Sequence, residues 1–368
     1  MSLFQGLFHK EAAFLGVEIG TASIKIAELG LKDKNYVLRT FGYVDVASDV
    51  IHDKDEQSQQ KLGEVLKQLG VKAGITTNQA VAALPTFAVF TTVVNVPKSN
   101  SNDIGTYVQR EAQKYLPQPL AEMILEWQIV GSGNESKTAV AAGTDESKIS
   151  SSAKEYLRVL VTAAPRELVK RYQNIFQIAG LQLKAIETEA SALGRALLRR
   201  DRELTMIIDI GSMTTDMAVI ENGLPVLNRS IDIGGWNITK SIAVAMGIDT
   251  AEAEQFKTDL AMQKSGRQLP TVVEESLTQI LNTVKYVFEM YRGQAGRQIE
   301  KIVLVGGSAS LPGLSDYLMN MFNVPVYVGN PWHDIKYDPA LQPLLENIGT
   351  RMAVAVGLAM REQATKST

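Results

Sequence analysis

Phe14-Leu-Gly-Val-Glu-Ile-Gly-Thr-Ala-Ser-Ile-Lys-Ile-Ala-Glu-Leu29 is matched far down the chain by Met206-Ile-Ile-Asp-Ile-Gly-Ser-Met-Thr-Thr-Asp-Met-Ala-Val-Ile220. Glu18 aligns with Asp209, Gly20 with Gly211, Thr21 with Ser212 and Ser23 with Thr214, at a constant offset of 191 residues. In both copies a β-branched apolar run meets an acid-Ile-Gly-hydroxyl turn, after which strand alternation resumes. Glycine lets the backbone turn sharply and approach a ligand closely. Consecutive N–H groups and hydroxyls at such a turn can cradle phosphate oxygens. The acid before the turn suits Mg²⁺ held through water, because that ion keeps most of its hydration shell. Two such hairpins predict a duplicated fold whose lobes grip a phosphorylated ligand from opposite sides.

A third glycine site lies in Ile302-Val-Leu-Val-Gly-Gly-Ser-Ala-Ser-Leu-Pro-Gly-Leu314, an apolar strand, a Gly306-Gly307 turn and a helix opening near Pro312. Paired glycines there would let a nucleoside lie against bare backbone. The competing reading is an ordinary strand–glycine–helix turn.

The 368 residues allow about two domains. A hydrophobic share of 45% and a charged share of 21% are those of an ordinary globular chain. The net charge of −3 lacks the basic surplus of a nucleic-acid binder. Without cysteine there are no disulfides and no thiolate metal sites, and His9, His52 and His333 are too scattered for a zinc site. No apolar run approaches the ~18–20 residues of a membrane span. Met1–Lys10 lacks the charged and apolar regions of a secretion signal, which predicts a cytoplasmic location. Leu3, Phe4, Leu7 and Phe8 form a short amphipathic pattern that could meet a membrane, a partner or the chain's own domain.

The order of the three glycine sites resembles the actin-like ATPase superfamily, an α/β fold of two ribonuclease H-like lobes. Longer stretches are similar to the PilM family of type IV pilus assembly proteins, relatives of FtsA. They are Val96-Pro-Lys98 with Tyr107-Val-Gln-Arg-Glu-Ala-Gln-Lys-Tyr-Leu-Pro-Gln-Pro-Leu120, and Val161-Thr-Ala-Ala-Pro-Arg-Glu167. Further on come Ala179-Gly-Leu181 with Ala185-Ile-Glu-Thr-Glu189, and Ile233-Gly-Gly235 with Ala251-Glu-Ala-Glu-Gln-Phe-Lys257. The resemblance implies a first-lobe core at 12–78, 159–200 and 346–366, with an α/β subdomain inserted at 79–158. It implies a second-lobe core at 203–230 and 299–345, with a mostly helical upper subdomain at 231–298. Local patterns place helices at Asp103–Tyr115 (capped by Ser101 or Asn102), Ala190–Arg200 and Ile348–Arg361. Strands are expected at Met123–Val130 and Thr138–Ala142.

Carried over residue by residue, Gly20, Thr21, Ser23 and Lys25 form a first phosphate clamp, and Gly211, Ser212, Thr214 and Thr215 a second. Gly306, Gly307 and Ser308 face the adenosine of ATP, Gly234 and Gly235 lie near its sugar, and Glu254 and Lys257 pair with ribose or cover the base. Asp209 and Glu18 hold Mg²⁺ through water. Lys257 could otherwise be a solvated lysine, and the clamp hydroxyls could merely close their hairpins.

Three features depart from the family pattern. Glu18 stands where aspartate is usual, Gln279 and Asn282 stand where glutamate and arginine are common, and Lys240 replaces a frequent acid. These predict ATP binding with at most slow hydrolysis. The resemblance further implies a cytoplasmic scaffold at the inner face of the cytoplasmic membrane. There it would bind the N-terminal cytoplasmic tail of a PilN-like protein in a groove lined by parts of 80–130 and 159–190. Self-association is the other implied contact. An FtsA-like filament-forming cytoskeletal protein and a sugar kinase of the same superfamily are the alternatives.

Overall fold

The computed structural model describes residues 13–53, 55–98, 103–135, 154–199, 201–262, 270–295 and 297–361. The expected strand at Thr138–Ala142 and the apolar N-terminal pattern lie outside them. The chain opens with β1 (Ala13–Ile19), β2 (Ser23–Lys32), β3 (Asn35–Asp45), α1 (Ser48–His52), α2 (Glu56–Ala73) and β4 (Gln79–Leu84). Then come β5 (Phe90–Pro97), α3 (Ile104–Ala112), β6 (Met123–Glu135), β7 (Lys154–Pro165), α4 (Arg166–Ile178), β8 (Gln182–Thr188) and α5 (Glu189–Leu197). The second half holds β9 (Thr205–Ile210), β10 (Thr215–Glu221), β11 (Leu224–Ile231) and helices α6 (Gly235–Met246), α7 (Thr250–Met262), α8 (Thr271–Ser276) and α9 (Thr278–Ala295). It ends with β12 (Lys301–Val305), α10 (Leu314–Phe322), β13 (Val326–Val328), β14 (Ile335–Lys336) and α11 (Gln342–Ala359).

Two sheets repeat one another. The first runs β14-β3-β2-β1-β4-β8 and the second β11-β10-β9-β12-β13. In each, an antiparallel hairpin pair is followed by two parallel strands: β1 pairs antiparallel with β2 and parallel with β4, as β9 does with β10 and β12. The sequence repeat is therefore a repeat of topology, and the fold is a two-lobed actin-like α/β fold. Parallel strands buried on both faces need near-continuous apolar runs, which Ala80–Leu84 and Ile302–Val305 supply.

One apolar core joins the two sheets. It takes Val81 and Ala83 from β4, Leu193 from α5, Ile207 from β9, Ile220 from β10, Val303 and Val305 from β12, and Val354 and Leu358 from α11. The last helix can approach so closely because a glycine stands at each crossing, Gly16 on β1 and Gly357 on the helix itself. A Cβ at Gly16 would fall 1.9 Å from the Ala355 carbonyl oxygen, and one at Gly357 would fall 2.0 Å from that of Ala192.

Residues 88–168 form a separate compact unit. Its three-stranded sheet has the order β5-β7-β6, and α3 covers Val94, Val96, Val159 and Val161 through Val108 and Ala112. Asp103 caps α3 by accepting from the Thr106 N–H, the role expected of Ser101 or Asn102.

Several boundaries differ from expectation. Residues 79–84 do not open the inserted subdomain, because β4 pairs with β1 and β8. Residues 159–165 do not return to the first lobe, because β7 is the centre of the three-stranded sheet. The chain rejoins the first sheet at β14, which pairs with β3, before the expected 346. The final helix begins six residues before Ile348, with Pro343 in its first turn, where a missing N–H costs nothing.

Candidate functional site

Each clamp is a hairpin turn closed by the same bond. The Gly20 N–H donates to the Ser23 carbonyl and the Gly211 N–H to the Thr214 carbonyl, both at 2.9 Å. The turns belong to different lobes and touch where the Met213 N–H reaches the Thr21 hydroxyl at 3.4 Å. The strands behind them carry the acids. Glu18 lies opposite Lys25 on the neighbouring strand, and Asp209 lies opposite Asp216.

This cross-strand pairing makes the clamps chemically unequal. In the first, the Lys25 ammonium is bonded to Glu18 Oε1, while Glu18 Oε2 is buried without a partner. In the second, two acids face each other, an arrangement that destabilises an antiparallel pair unless a proton or cation relieves it. Burial, then the charges of Glu18 and Asp216, push Asp209 up to about 7, against the pull of Lys25. Burial likewise pushes Asp216 up to about 6, although the Ser230 hydroxyl and then those of Thr214 and Thr86 draw it back.

The remaining glycines assemble beside the second clamp. The Gly235 N–H donates to the Gly211 carbonyl at 2.8 Å and the Trp236 N–H to that of Ser212 at 2.9 Å. A Cβ at Gly234 would fall 2.5 Å from the Ser212 carbonyl oxygen, and one at Gly235 would fall 2.7 Å from Ser308 Oγ. Gly306 has a left-handed φ of +91°, and its Cβ would fall 2.5 Å from Asp209 Oδ1. Gly307 instead faces open space.

Lys257 is not a solvated lysine. It is buried, and its ammonium donates to the Gly235 carbonyl at 3.0 Å, the Thr239 hydroxyl at 2.8 Å and Glu254 Oε2 at 2.7 Å. Two clamp residues are less open than expected. Thr215 is fully buried with its hydroxyl donated to the Ile233 carbonyl at 2.6 Å, and Lys25 is held by Glu18. Glu189 and Asp216 were not singled out in the sequence; Asp216 stands across the strand pair from Asp209, and burial, then the charges of Asp216 and Glu18, push Glu189 well above the usual carboxylate range. Asp216 could have been found from the repeat, whose offset sets it against Lys25. Glu189 reads as an ordinary acid in a first helical turn.

The raised carboxyls of Asp209 and Asp216 predict a pH dependence of stability. Their folded pKa values lie above those of the unfolded chain, so between about pH 4 and 7 the native state binds more protons and stability falls as pH rises. Asp209→Asn removes one of these groups. Thermal midpoints at pH 5 and 7.5 should fall less steeply with pH in Asp209→Asn than in the wild type, and equal slopes would refute the assignment.

The family model for type IV pilus assembly protein PilM matches residues 16–363. The chain belongs to this family. The cell division protein FtsA of Streptococcus pneumoniae is 23% identical over 362 residues, covering 87% of this chain and 76% of FtsA. A chain of the solved PilM-PilN type IV pilus biogenesis complex superposes with a TM-score of 0.77 at 24% identity, over 94% of this chain and 97% of that one. MreB 5 of Spiroplasma citri bound to AMPPNP superposes with a TM-score of 0.52 at 15% identity, over 96% of this chain and 97% of that one. PilM membership thus places an actin-like fold in type IV pilus assembly.

Proposed function

We propose that the cleft binds ATP with Mg²⁺, and that the chain is a scaffold of pilus assembly that holds the cytoplasmic tail of a PilN-like membrane protein. The observation that carries the first half is the pair of facing turns closed by the same 2.9 Å bond. The residues fit such a ligand. Phosphates would meet the backbone N–H groups of the Gly20–Ser23 and Gly211–Thr214 turns. The nucleoside would lie against Gly306, Gly307 and Ser308, where a Cβ at Gly306 would strike the wall. Lys257 and Glu254 buttress the Gly234-Gly235 turn from behind.

Asp209 and Glu18 are the acids that would hold the waters of Mg²⁺, which when bound neutralises phosphate charge. Lys25 already neutralises much of Glu18, which favours binding over hydrolysis, since turnover needs a well-placed metal and an oriented water. The AMPPNP held by MreB 5 of Spiroplasma citri supports the nucleotide class.

The PilN partner is supported by family membership and by the solved PilM-PilN complex. Through that tail the chain would sit at the inner face of the cytoplasmic membrane. No helix among the described residues is long and apolar enough to cross one. Within the 88–168 unit, edge strand β6 exposes Trp127 and Ile129, alternate residues suited to anchoring an extended peptide. Trp127→Ala should weaken binding of a synthetic tail peptide at least about fivefold, as a lost aromatic anchor does; an unchanged Kd would place the peptide elsewhere. Calorimetric titration of ATP–Mg²⁺, with and without that peptide, tests both halves. Absence of ATP binding in both conditions would sink the first half, and absence of peptide binding would sink the second.

A further inference from the structure

The apolar pattern of Leu3, Phe4, Leu7 and Phe8 has no part in the nucleotide site, and the first lobe holds an apolar groove near the point where that segment joins the fold. The groove has a volume of about 370 Å³ and is lined by Leu15, Leu66, Val71, Ile75, Ala179 and Leu181. Local geometry creates it. Helices α2 and α4 pack closely at Gly63, where a Cβ would fall 2.5 Å from Ile178 Cγ2. There α4 ends, at Ile178, while α2 runs on to Ala73. Gly74 and Gly180, both left-handed at φ +68° and +75°, then turn the chain toward β4 and β8. The last turns of α2 and the α4–β8 turn thus form the walls, and Val71 is left 77% exposed.

The start of β1 decides what can reach this groove. β1 enters the sheet parallel to β4 with Leu15 beside Ala80, so Ala13 stands at the same sheet edge as Asn78, which also lines the groove. The chain before Ala13 therefore joins the fold beside the groove. A connector of Lys10–Ala12 spans about 10 Å, enough to bring Phe8 over the wall. At helical spacing Leu3, Phe4, Leu7 and Phe8 share one face. An apolar cavity of about 150 Å³ holds a benzene ring, so the groove has room for the rings of Phe4 and Phe8. So short a tether gives an effective concentration in the millimolar range, which favours the chain's own segment over a free partner. We infer that the groove is the seat of the chain's own N-terminal segment, anchored by Phe4 and Phe8. Seated there, the segment's apolar face is withheld from membranes and from other proteins.

The test uses the full chain, which has no cysteine, so Gln5→Cys with Lys72→Cys accepts a pair of nitroxide labels. Lys72 lies exposed in the last turn of α2 and outside the groove lining. Dipolar spectroscopy should give one narrow distance in this background. Adding Phe4→Ser with Phe8→Ser should reduce the narrow component at least about fivefold, as should Val71→Glu on the groove side. Both changes fall outside the packed core, and thermal melts confirm that the fold is kept. A broad distribution in the parent pair, or a narrow one that survives Phe4→Ser with Phe8→Ser, would overturn the proposal.

Two further arms separate the other occupants. In a mixture of chains labelled singly at Gln5→Cys and at Lys72→Cys, no defined distance should be seen. A narrow distance in that mixture would seat the segment on a second copy and overturn the assignment to its own chain. Flotation with vesicles of phosphatidylethanolamine and phosphatidylglycerol tests the membrane. Binding that Phe4→Ser with Phe8→Ser abolishes, joined to a broad distance distribution without vesicles, would give the segment to the lipid surface and overturn the groove as its seat.

Discussion

A single methyl group at Gly357 is expected to destabilise the protein by about 3 kcal/mol and to lower its thermal midpoint by roughly 5 °C. The alanine Cβ would lie 2.0 Å from the Ala192 carbonyl oxygen and 2.6 Å from its carbon. Both are backbone atoms of α5, so no rotamer change relieves the clash and the two helices must part. They cannot part cheaply. Arg195 of α5 donates to the Gly357 carbonyl at 2.6 Å while paired with Glu187, also at 2.6 Å, and the core shared by the two sheets lies beside the crossing. Gly194→Ala, on the facing helix α5, is the control. Its Cβ would meet nothing nearer than Ile220 Cγ2 at 3.6 Å, so helix propensity should leave it neutral or stabilising by up to about 1 kcal/mol. Equal melting of the two variants would show that α5 and α11 are not in backbone contact.

That crossing shows what a sequence conceals. The small residues of the last helix could be read as a sign of close approach, and the sequence expectation brought that helix back to the first lobe. The residue it meets, Ala192, carries no local signal. The hairpins were legible for the opposite reason: their physics is local, and an acid-Ile-Gly-hydroxyl turn between apolar strands is visible within ten residues. Duplication made the fold legible as well, because two copies of one hairpin imply two copies of the sheet around it.

The boundaries of the inserted unit were less visible. Ala80–Leu84 and Val159–Ala164 are both short apolar strands, and nothing within either says which sheet it joins. Pairing partners distant in sequence decide that. The same holds for the cleft acids. Lys25 and Asp216 occupy one position of the repeat, and the exchange of a cation for an acid turns the first hairpin into a neutralised pair and the second into a repelling one. The inequality of the clamps thus lies less in the extra methylene of Glu18 than in the residue across the strand from it.

The cleft makes its sharpest demand at Gly306, and the neighbouring glycine provides the comparison. Gly306→Ala should weaken ATP–Mg²⁺ binding about a hundredfold, whereas Gly307→Ala should stay within about threefold of the wild type. Gly306 sits at φ +91°, a conformation that L side chains resist at a cost of about 1–3 kcal/mol. Its new Cβ would press on the Ile210 carbonyl oxygen at 2.3 Å and on Asp209 Oδ1 at 2.5 Å. The turn must then withdraw from the second clamp or displace Asp209, the acid proposed to face the metal. The Gly306 N–H is also bonded to the Thr350 carbonyl of α11 at 2.9 Å, so withdrawal strains the helix that spans both sheets. At Gly307 the backbone is unstrained and nothing lies within 4 Å, so a methyl group there costs little beyond what it takes from the ligand's own space. Calorimetric titration of both variants, with thermal melts to separate loss of fold from loss of affinity, decides the matter. A folded Gly306→Ala protein that bound ATP as tightly as the wild type would remove this turn from the nucleotide site.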